Sequence, residues 1–146
     1  MPALILLVDD DRLDVELTLD AFKEAHFANP IRVCKDGQEA LDYLFGSGIH
    51  AGRNVKNLPQ VILLDLKLPK VDGLEVLRKI RASDETRLLP VVVLTSSREE
   101  MDIINSYQLG ANSYIRKPVD FEQFSQAIKQ LGLYWLVFNE SPIKFN

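Results

Sequence analysis

The sequence is poor in cysteine and histidine. Its 146 residues include one cysteine, Cys34, and two histidines, His26 and His50. One cysteine cannot form an internal disulfide, and so few scattered soft ligands argue against a zinc site. Cys34 ends the short apolar run 31–34, which indicates a buried thiol in a reducing compartment. Both histidines are interpreted as surface residues.

Long apolar runs and an excess of basic residues are also missing. No run approaches the roughly 18 residues that cross a bilayer, and the first residues show no signal-peptide pattern. The formal net charge of −4 leaves no basic surface to neutralise a phosphate backbone. We therefore expect a cytoplasmic protein that binds neither a membrane nor nucleic acid.

What the sequence does contain is a regular alternation of apolar runs and helical patterns. The runs 3–8, 31–34, 61–64, 90–94 and 112–116 predict five strands, and each precedes a helical pattern. Repeated βαβ units with right-handed crossovers predict an α/β fold, with a parallel sheet and helices on both faces. We expect one domain over 1–131, then an extension of the last helix over 132–146, without a separate effector domain. The long connection 46–60 is rich in glycine and asparagine.

The last helical pattern continues through a glycine, Gly132. Its apolar residues step by three and four, which predicts eighteen helical residues and an apolar end that overhangs the sheet. An exposed apolar end favours self-association or a partner contact. The alternative is that the tail turns and packs on its own domain. The interface candidates are Phe121, Phe124, Ile128, Leu133, Trp135, Leu136 and Phe138.

Polar side chains follow four of the predicted strands at the point where each ends. Asp9 and Asp10 follow the first, Asp65 the third, Thr95 the fourth and Lys117 the fifth. A parallel sheet collects these strand ends at one edge, where ligands bind in open α/β sheets. Crowded carboxylates repel one another unless a cation joins them, and oxygen ligands suit Mg²⁺.

An ionised carboxylate beside Mg²⁺ can attack a phosphoryl group and form an aspartyl phosphate. Asp65 is the candidate nucleophile. The transferred group carries negative charge on its oxygens, so the reaction needs fixed cations and donors. The Lys117 ammonium and the Thr95 hydroxyl supply them beside the metal.

The order of these motifs resembles the response regulator receiver domain of two-component signalling, over nearly the whole chain. The resemblance implies a flavodoxin-like sheet of strand order 2-1-3-4-5. The motifs that carry it are Leu7-Val8-Asp9-Asp10, Leu64-Asp65-Leu66 with Pro69, Asp72 and Gly73, Leu94-Thr95-Ser96, Gly110-Ala111-Asn112, and Tyr114-Ile115 with Lys117-Pro118.

The resemblance also implies a role for each residue of the acidic pocket. Asp65 would be the phosphoacceptor. A magnesium or manganese ion would be held by Asp10, Asp65 and the backbone carbonyl of Lys67, and by Asp9 through water. Lys117 would contact the phosphoryl group.

A switch pair is implied in the same way. The Thr95 hydroxyl would move toward the phosphoryl group while the Tyr114 ring turns inward. The family's peptide bond between the residues at Lys117 and Pro118 is commonly cis. The implied output is a protein contact or a change of oligomeric state.

The resemblance implies a sensor histidine kinase as partner. The long loop and the aromatic tail Leu133-Tyr134-Trp135-Leu136 resemble the single-domain regulators of bacterial phytochrome-type kinases. That subgroup forms homodimers through its C-terminal region, so a homodimer is expected here.

Three other functions compete with a phosphoaccepting switch. A metal-dependent phosphohydrolase would need a second acid where Lys67 stands, so we do not expect a turnover enzyme. A flavodoxin-like cofactor carrier would offer hydroxyls and amides to phosphate, whereas Asp9 and Asp10 repel it. The third is a docking module that works without phosphorylation.

Overall fold

A computed structural model of the protein describes residues 3–143, in which five strands and five helices alternate. Within that part of the chain no helix is long and apolar enough to cross a membrane. The elements are β1 Ile5–Val8, α1 Arg12–Glu24, β2 Ile31–Cys34, α2 Gly37–Phe45, β3 Val61–Leu64, α3 Gly73–Ala82, β4 Val91–Thr95, α4 Glu100–Gln108, β5 Ser113–Arg116 and α5 Phe121–Leu133.

The five strands form one parallel sheet of order β2-β1-β3-β4-β5. This confirms the predicted flavodoxin-like architecture. Every residue of β1, β3 and β4 is buried, because helices cover both faces of the sheet. Alternate strand residues point to opposite faces and join two separate apolar cores.

Aspartates begin four of the five helices. The side chains of Asp11, Asp36, Asp72 and Asp120 each accept a hydrogen bond from a backbone N–H of the first turn. The helix α4 is the exception, because it begins at Glu100 and has no side-chain cap.

The buried faces of two helices differ from the sequence pattern. In α1, Leu13 shares the helical spacing of Leu17 and Ala21, but it is 62% exposed. The buried residues of α1 are Thr18, Ala21 and Phe22, all of which lie beyond its first turn. The apolar residues Met101, Ile104 and Tyr107 of α4 are also exposed.

The last helix continues through Gly132, as predicted. The α-helical hydrogen bonding ends at Leu133, and a π-helical turn covers Tyr134–Phe138. A Cβ atom on Gly132 would lie 2.7 Å from Cε2 of Phe27, so the glycine is needed for close packing against the end of α1. Packing of neighbouring helices therefore explains a glycine that does not end the helix.

The apolar residues that step by three and four along this helix form its apolar seam. This seam divides into a buried part and an exposed part. Phe124 and Ile128 lie in the domain's own core, with 3% and 0% of their surface exposed, so they were wrong as interface candidates. Trp135 and Leu136 are half-buried against the same core, and part of the tail thus packs on its own domain. The exposed apolar residues of this segment are Phe121, Leu133, Tyr134, Val137 and Phe138.

Candidate functional site at the carboxyl edge of the sheet

Backbone pairing continues one residue beyond the strands and fixes the site in register. The Asp9 amide donates to the Cys34 carbonyl, and the Asp65 amide donates to the Val8 carbonyl, each at 3.0 Å. The Lys117 amide donates to the Thr95 carbonyl at 2.7 Å. The side chains that directly follow β1, β3 and β5 therefore meet at one edge with that of Thr95, the last residue of β4, as the sequence predicted.

The Lys117 ammonium lies at the centre of the acidic cluster. It donates to carboxylate oxygens of Asp9 at 2.8 Å, Asp14 at 2.9 Å and Asp65 at 3.0 Å. Only 5% of its side chain is exposed, which excludes a solvated surface charge. Burial opposes the charged form, but the carboxylates of Asp65 and Asp9 outweigh it and raise the pKa of Lys117 above its ordinary value.

Asp9 is the most deeply buried acid of the cluster. Desolvation raises its pKa from 3.8 to about 6, although hydrogen bonds from Lys117 and from the Asp11 amide favour the ionised form. Asp65 adds a smaller repulsion. A further cation at this edge would therefore stabilise the ionised carboxylate of Asp9.

Hydrogen bonds hold both carboxylate oxygens of Asp65. One oxygen accepts the Thr95 hydroxyl at 2.7 Å and lies 3.4 Å from the Lys67 amide, while the other accepts from Lys117. Thr95 is completely buried and Asp65 is 6% exposed. The carboxylate is thus fixed in orientation directly after β3, the central strand of the sheet.

The same edge offers oxygen ligands for a hard cation. Carboxylate oxygens of Asp9, Asp10 and Asp65 lie within 4.8 Å of one another. Asp10 is exposed, and it lines a surface cleft together with Lys67 and Asp72. An all-oxygen donor set with one open side fits Mg²⁺ or Mn²⁺, which keep several waters.

Tyr114 is connected to Thr95 through Ser97. The Tyr114 hydroxyl donates to the Ser97 carbonyl at 3.1 Å, and the Ser97 amide lies 3.4 Å from the Thr95 hydroxyl oxygen. Tyr114 is half-buried beside the core that β1 and β3 share with α2 and α3. The peptide bond between Lys117 and Pro118 is trans, which differs from the form that the family resemblance implied.

Sequence reasoning missed Asp14 and Ser97. Asp14 lies in the first turn of α1, three residues after the capping Asp11, where an acidic residue is ordinary, so its position carried no signal of a role at the site. Ser97 follows the Leu94-Thr95-Ser96 motif, and its hydroxyl donates to the Asp102 carboxylate at 2.5 Å. His50 was wrong as a surface residue, since 10% of its side chain is exposed.

Comparison with known proteins gives one family and several close structures. The family model described as "Response regulator receiver domain" matches residues 5–129. The bacteriophytochrome response regulator RtBRR is 53% identical, with a TM-score of 0.77 over 97% of this chain and 85% of that one.

Two cyanobacterial proteins are similar over almost their whole length. The phosphorylated phytochrome response regulator RcpA is 37% identical, with a TM-score of 0.90 over 97% of this chain and 99% of that one. The Mn²⁺-bound form of response regulator Rcp1 is 34% identical, with a TM-score of 0.89 over the same shares. Rcp1 is a protein of Synechocystis sp..

Proposed function

Because the chain belongs to the response regulator receiver domain family, we propose that Asp65 accepts a phosphoryl group from a sensor histidine kinase. The observation that carries this proposal is the fixed carboxylate of Asp65, bonded by Thr95 on one oxygen and Lys117 on the other. A carboxylate held in this way needs little reorganisation before it attacks.

In the reaction, an Asp65 oxygen forms a bond to phosphorus while the bond between phosphorus and the donor's leaving atom breaks. Lys117 and Thr95 supply positive charge and a hydrogen-bond donor for the oxygens of the transferred group. Asp10, Asp65 and the Lys67 carbonyl would hold a magnesium or manganese ion, with Asp9 reaching it through water. When bound, such an ion neutralises charge that develops on the phosphoryl group.

The phosphoryl group stays on the protein, so the proposed role is a phosphoacceptor that promotes its own phosphorylation and dephosphorylation. A phosphohydrolase is not favoured, because Lys67 is a cation whose ammonium lies 4.0 Å from Asp102. The docking module is not favoured either, since the acidic residues, Thr95 and Lys117 are all present around Asp65.

We propose that Thr95 and Tyr114 transmit the modification. A phosphoryl group adds acceptor oxygens at Asp65 and changes which of them the Thr95 hydroxyl bonds. The Ser97 backbone bonds both Thr95 and Tyr114, so a shift of Thr95 moves the loop that Tyr114 also holds. The segment from Ser97 to Tyr114 would then change population between two arrangements.

Intact-mass measurement after incubation with acetyl phosphate, with and without Mg²⁺, tests the acceptor. We expect one hydroxylamine-labile phosphoryl adduct on the wild type with Mg²⁺ and none on Asp65→Asn. Asp72→Asn is the matched control, because Asp72 lies in the same cleft but only caps α3, a role that asparagine also fills. Equal adduct on Asp65→Asn and the wild type would refute the assignment.

Further proposals concern the type of kinase, the extent of the receiver unit and the assembly of the protein. Similarity to the phosphorylated phytochrome regulator RcpA supports a phytochrome-type histidine kinase as donor, and a cytoplasmic location agrees with such a partner. We further propose that 1–131 is the receiver unit, that 132–146 extends its last helix, and that this extension forms a homodimer. Residues 144–146 of that tail lie outside the described part of the chain.

The exposed residues of the extension support the homodimer. Leu133, Val137 and Phe138 are exposed apolar residues within six positions of the chain. Leu133→Asp should shift the sedimentation profile toward monomer, whereas Ile49→Asp, at an exposed apolar residue of the long loop, should not. The same profile for both variants and the wild type would contradict this interface.

A further inference from the structure

A second group of potential metal ligands lies away from the acidic edge. It brings together Cys34 at the end of β2, Glu39 in the first turn of α2 and His50 in the 3₁₀ turn Gly48–His50. One ligand atom from each residue lies within 4.8 Å of the other two. Cys34 is completely buried, while the side chains of Glu39 and His50 are 18% and 10% exposed.

The imidazole of His50 has an unsatisfied atom that faces this group. Its Nε2 is buried and has no hydrogen-bond partner among residues 3–143. It lies 3.4 Å from a carboxylate oxygen of Glu39, without the geometry of a hydrogen bond. Buried polar atoms are nearly always bonded, so an unpaired imidazole nitrogen 3.4 Å from a carboxylate oxygen, in the same cluster as a thiol, is placed to bind a cation.

Neighbouring groups hold the side chains of Glu39 and His50 in place. The first carboxylate oxygen of Glu39 accepts the Lys35 amide at 2.9 Å, which leaves the second oxygen turned to His50. The His50 ring packs edge-to-face on Tyr43, with centroids 5.2 Å apart. Ligands that are oriented before binding lose less freedom when a metal arrives.

The low cysteine and histidine content argued against a zinc site, but the fold brings one residue of each type together beside a glutamate. We propose that Cys34, Glu39 and His50 form a second metal site, for Zn²⁺ or a similar divalent transition metal. Thiolate, imidazole and carboxylate are zinc ligands, and three of them leave the fourth tetrahedral position for water or a ligand. Magnesium avoids thiolate, so the two sites of this chain select different metals. The proposal does not depend on phosphorylation of Asp65.

The charges of the site balance on binding. Thiolate and carboxylate together neutralise a divalent cation. Burial raises the pKa of the Cys34 thiol to about 12, so the thiol is protonated before the metal arrives. The bond between Sγ and the metal therefore forms as the Sγ–H bond breaks, and the proton goes to solvent.

Cobalt titration of the purified protein tests the site, because Co²⁺ replaces Zn²⁺ and its thiolate complexes absorb light. Excess Mg²⁺ is present to occupy the oxygen cluster at Asp9, Asp10 and Asp65. We expect one equivalent of Co²⁺ to give a thiolate-to-cobalt charge-transfer band and the visible bands of tetrahedral cobalt. The Cys34→Ser variant should lose the charge-transfer band.

His50→Gln separates metal binding from folding, because Cys34 is a core residue whose replacement can disturb β2. We expect this variant to bind Co²⁺ at least about tenfold more weakly, since even an outer-shell partner contributes that much. The matched control is His26→Asn, at the exposed second histidine, where asparagine tolerates the positive φ of 62°. It should bind as the wild type does.

Thermal unfolding with Zn²⁺ gives a second measurement. Metal that binds only the folded state raises the Tm, so Zn²⁺ should stabilise the wild type and His26→Asn more than His50→Gln. Absence of the charge-transfer band in the wild type would overturn the proposal. So would a band of unchanged affinity in His50→Gln, or an equal rise in Tm for all three proteins.

Discussion

The carboxyl edge of the sheet and the C-terminal helix organise their residues in opposite ways. The edge joins side chains that are far apart in the chain, such as Asp9 and Lys117, which are 108 positions apart and 2.8 Å apart in space. The helix uses neighbours in the sequence, yet its seam separates into a buried part at Ile128 and an exposed part at Phe138. Separation along the chain therefore does not predict which residues are in contact or equally buried.

The difference arises from what fixes each register. At the edge, backbone hydrogen bonds between parallel strands set the position of every strand end. In the helix, the register changes at its end, because the Asn139 amide donates to the Tyr134 carbonyl five residues earlier. The wider π turn shifts the apolar residues around the helix axis, so a pattern of threes and fours no longer follows one face.

Removal of the central cation should give the largest effect. Lys117→Met leaves the buried carboxylates of Asp9 and Asp65 without their partner and should lower the free energy of unfolding by about 4 kcal/mol at pH 7 without Mg²⁺. Urea unfolding measures it. Lys129→Met, which removes an exposed ion pair with Glu24, should cost under about 0.5 kcal/mol. Similar losses of stability in the two variants would contradict a larger contribution from the buried ion pairs of Lys117 than from the exposed pair of Lys129.

Two substitutions in the C-terminal helix should separate its buried and exposed parts. Ile128→Ala creates a cavity in the core and should lower the free energy of unfolding by about 3 kcal/mol. Val137→Ala, in the exposed part, should change it by less than about 0.5 kcal/mol in the monomer. Urea unfolding of the protein at low concentration measures both losses. Equal losses would mean that Ile128 and Val137 are equally buried in the monomer.

The pH dependence of stability tests burial at the carboxyl edge. The pKa of Asp9 is about 6 in the folded protein against 3.8 ordinarily, so the folded state binds more protons between these values. The stability that Asp9 contributes is present below pH 3.8 and is lost as the pH rises through 6. The free energy of unfolding of Asp9→Asn, taken relative to that of the wild type, should therefore rise by about 2 kcal/mol as the pH rises from 4 to 7.

Urea unfolding across this pH range, without Mg²⁺, checks the difference between the two proteins. Asp11→Asn is the control, because Asp11 is an exposed cap and asparagine caps equally well. If the difference in free energy of unfolding between Asp9→Asn and the wild type did not change with pH, the pKa of Asp9 would not be raised in the folded protein.

The smallest effect concerns the glycine within the helix. Gly132→Ala places a Cβ atom against the Phe27 ring, and the overlap should exceed the gain in helix propensity by about 1 kcal/mol. Thermal unfolding measures the loss. In a Phe27→Leu background the shorter side chain makes room, so the same substitution should become neutral or stabilising. An unchanged loss there would place the strain elsewhere.

Sequence reasoning located the strand ends because apolar runs end in charged residues, and a parallel sheet brings those ends together. It could not find Asp14, since the direction of a helical side chain depends on how α1 packs. It missed the burial of His50 because the loop that carries this residue has no periodic pattern. It could not separate Phe124 and Ile128 from the exposed residues of the last helix, because a buried helix face and a binding surface have the same apolar spacing.

The hydrogen-bond geometry of Lys117 has a consequence for signalling. An ammonium has three N–H donors, and Asp9, Asp14 and Asp65 already accept one each. A new oxygen can be bound only by exchange, and the carboxylate released most easily is that of Asp14, which is 27% exposed and returns readily to water. A phosphoryl group on Asp65 would therefore also affect the first turn of α1, a helix that packs on the core of the sheet face opposite the one against which Tyr114 packs.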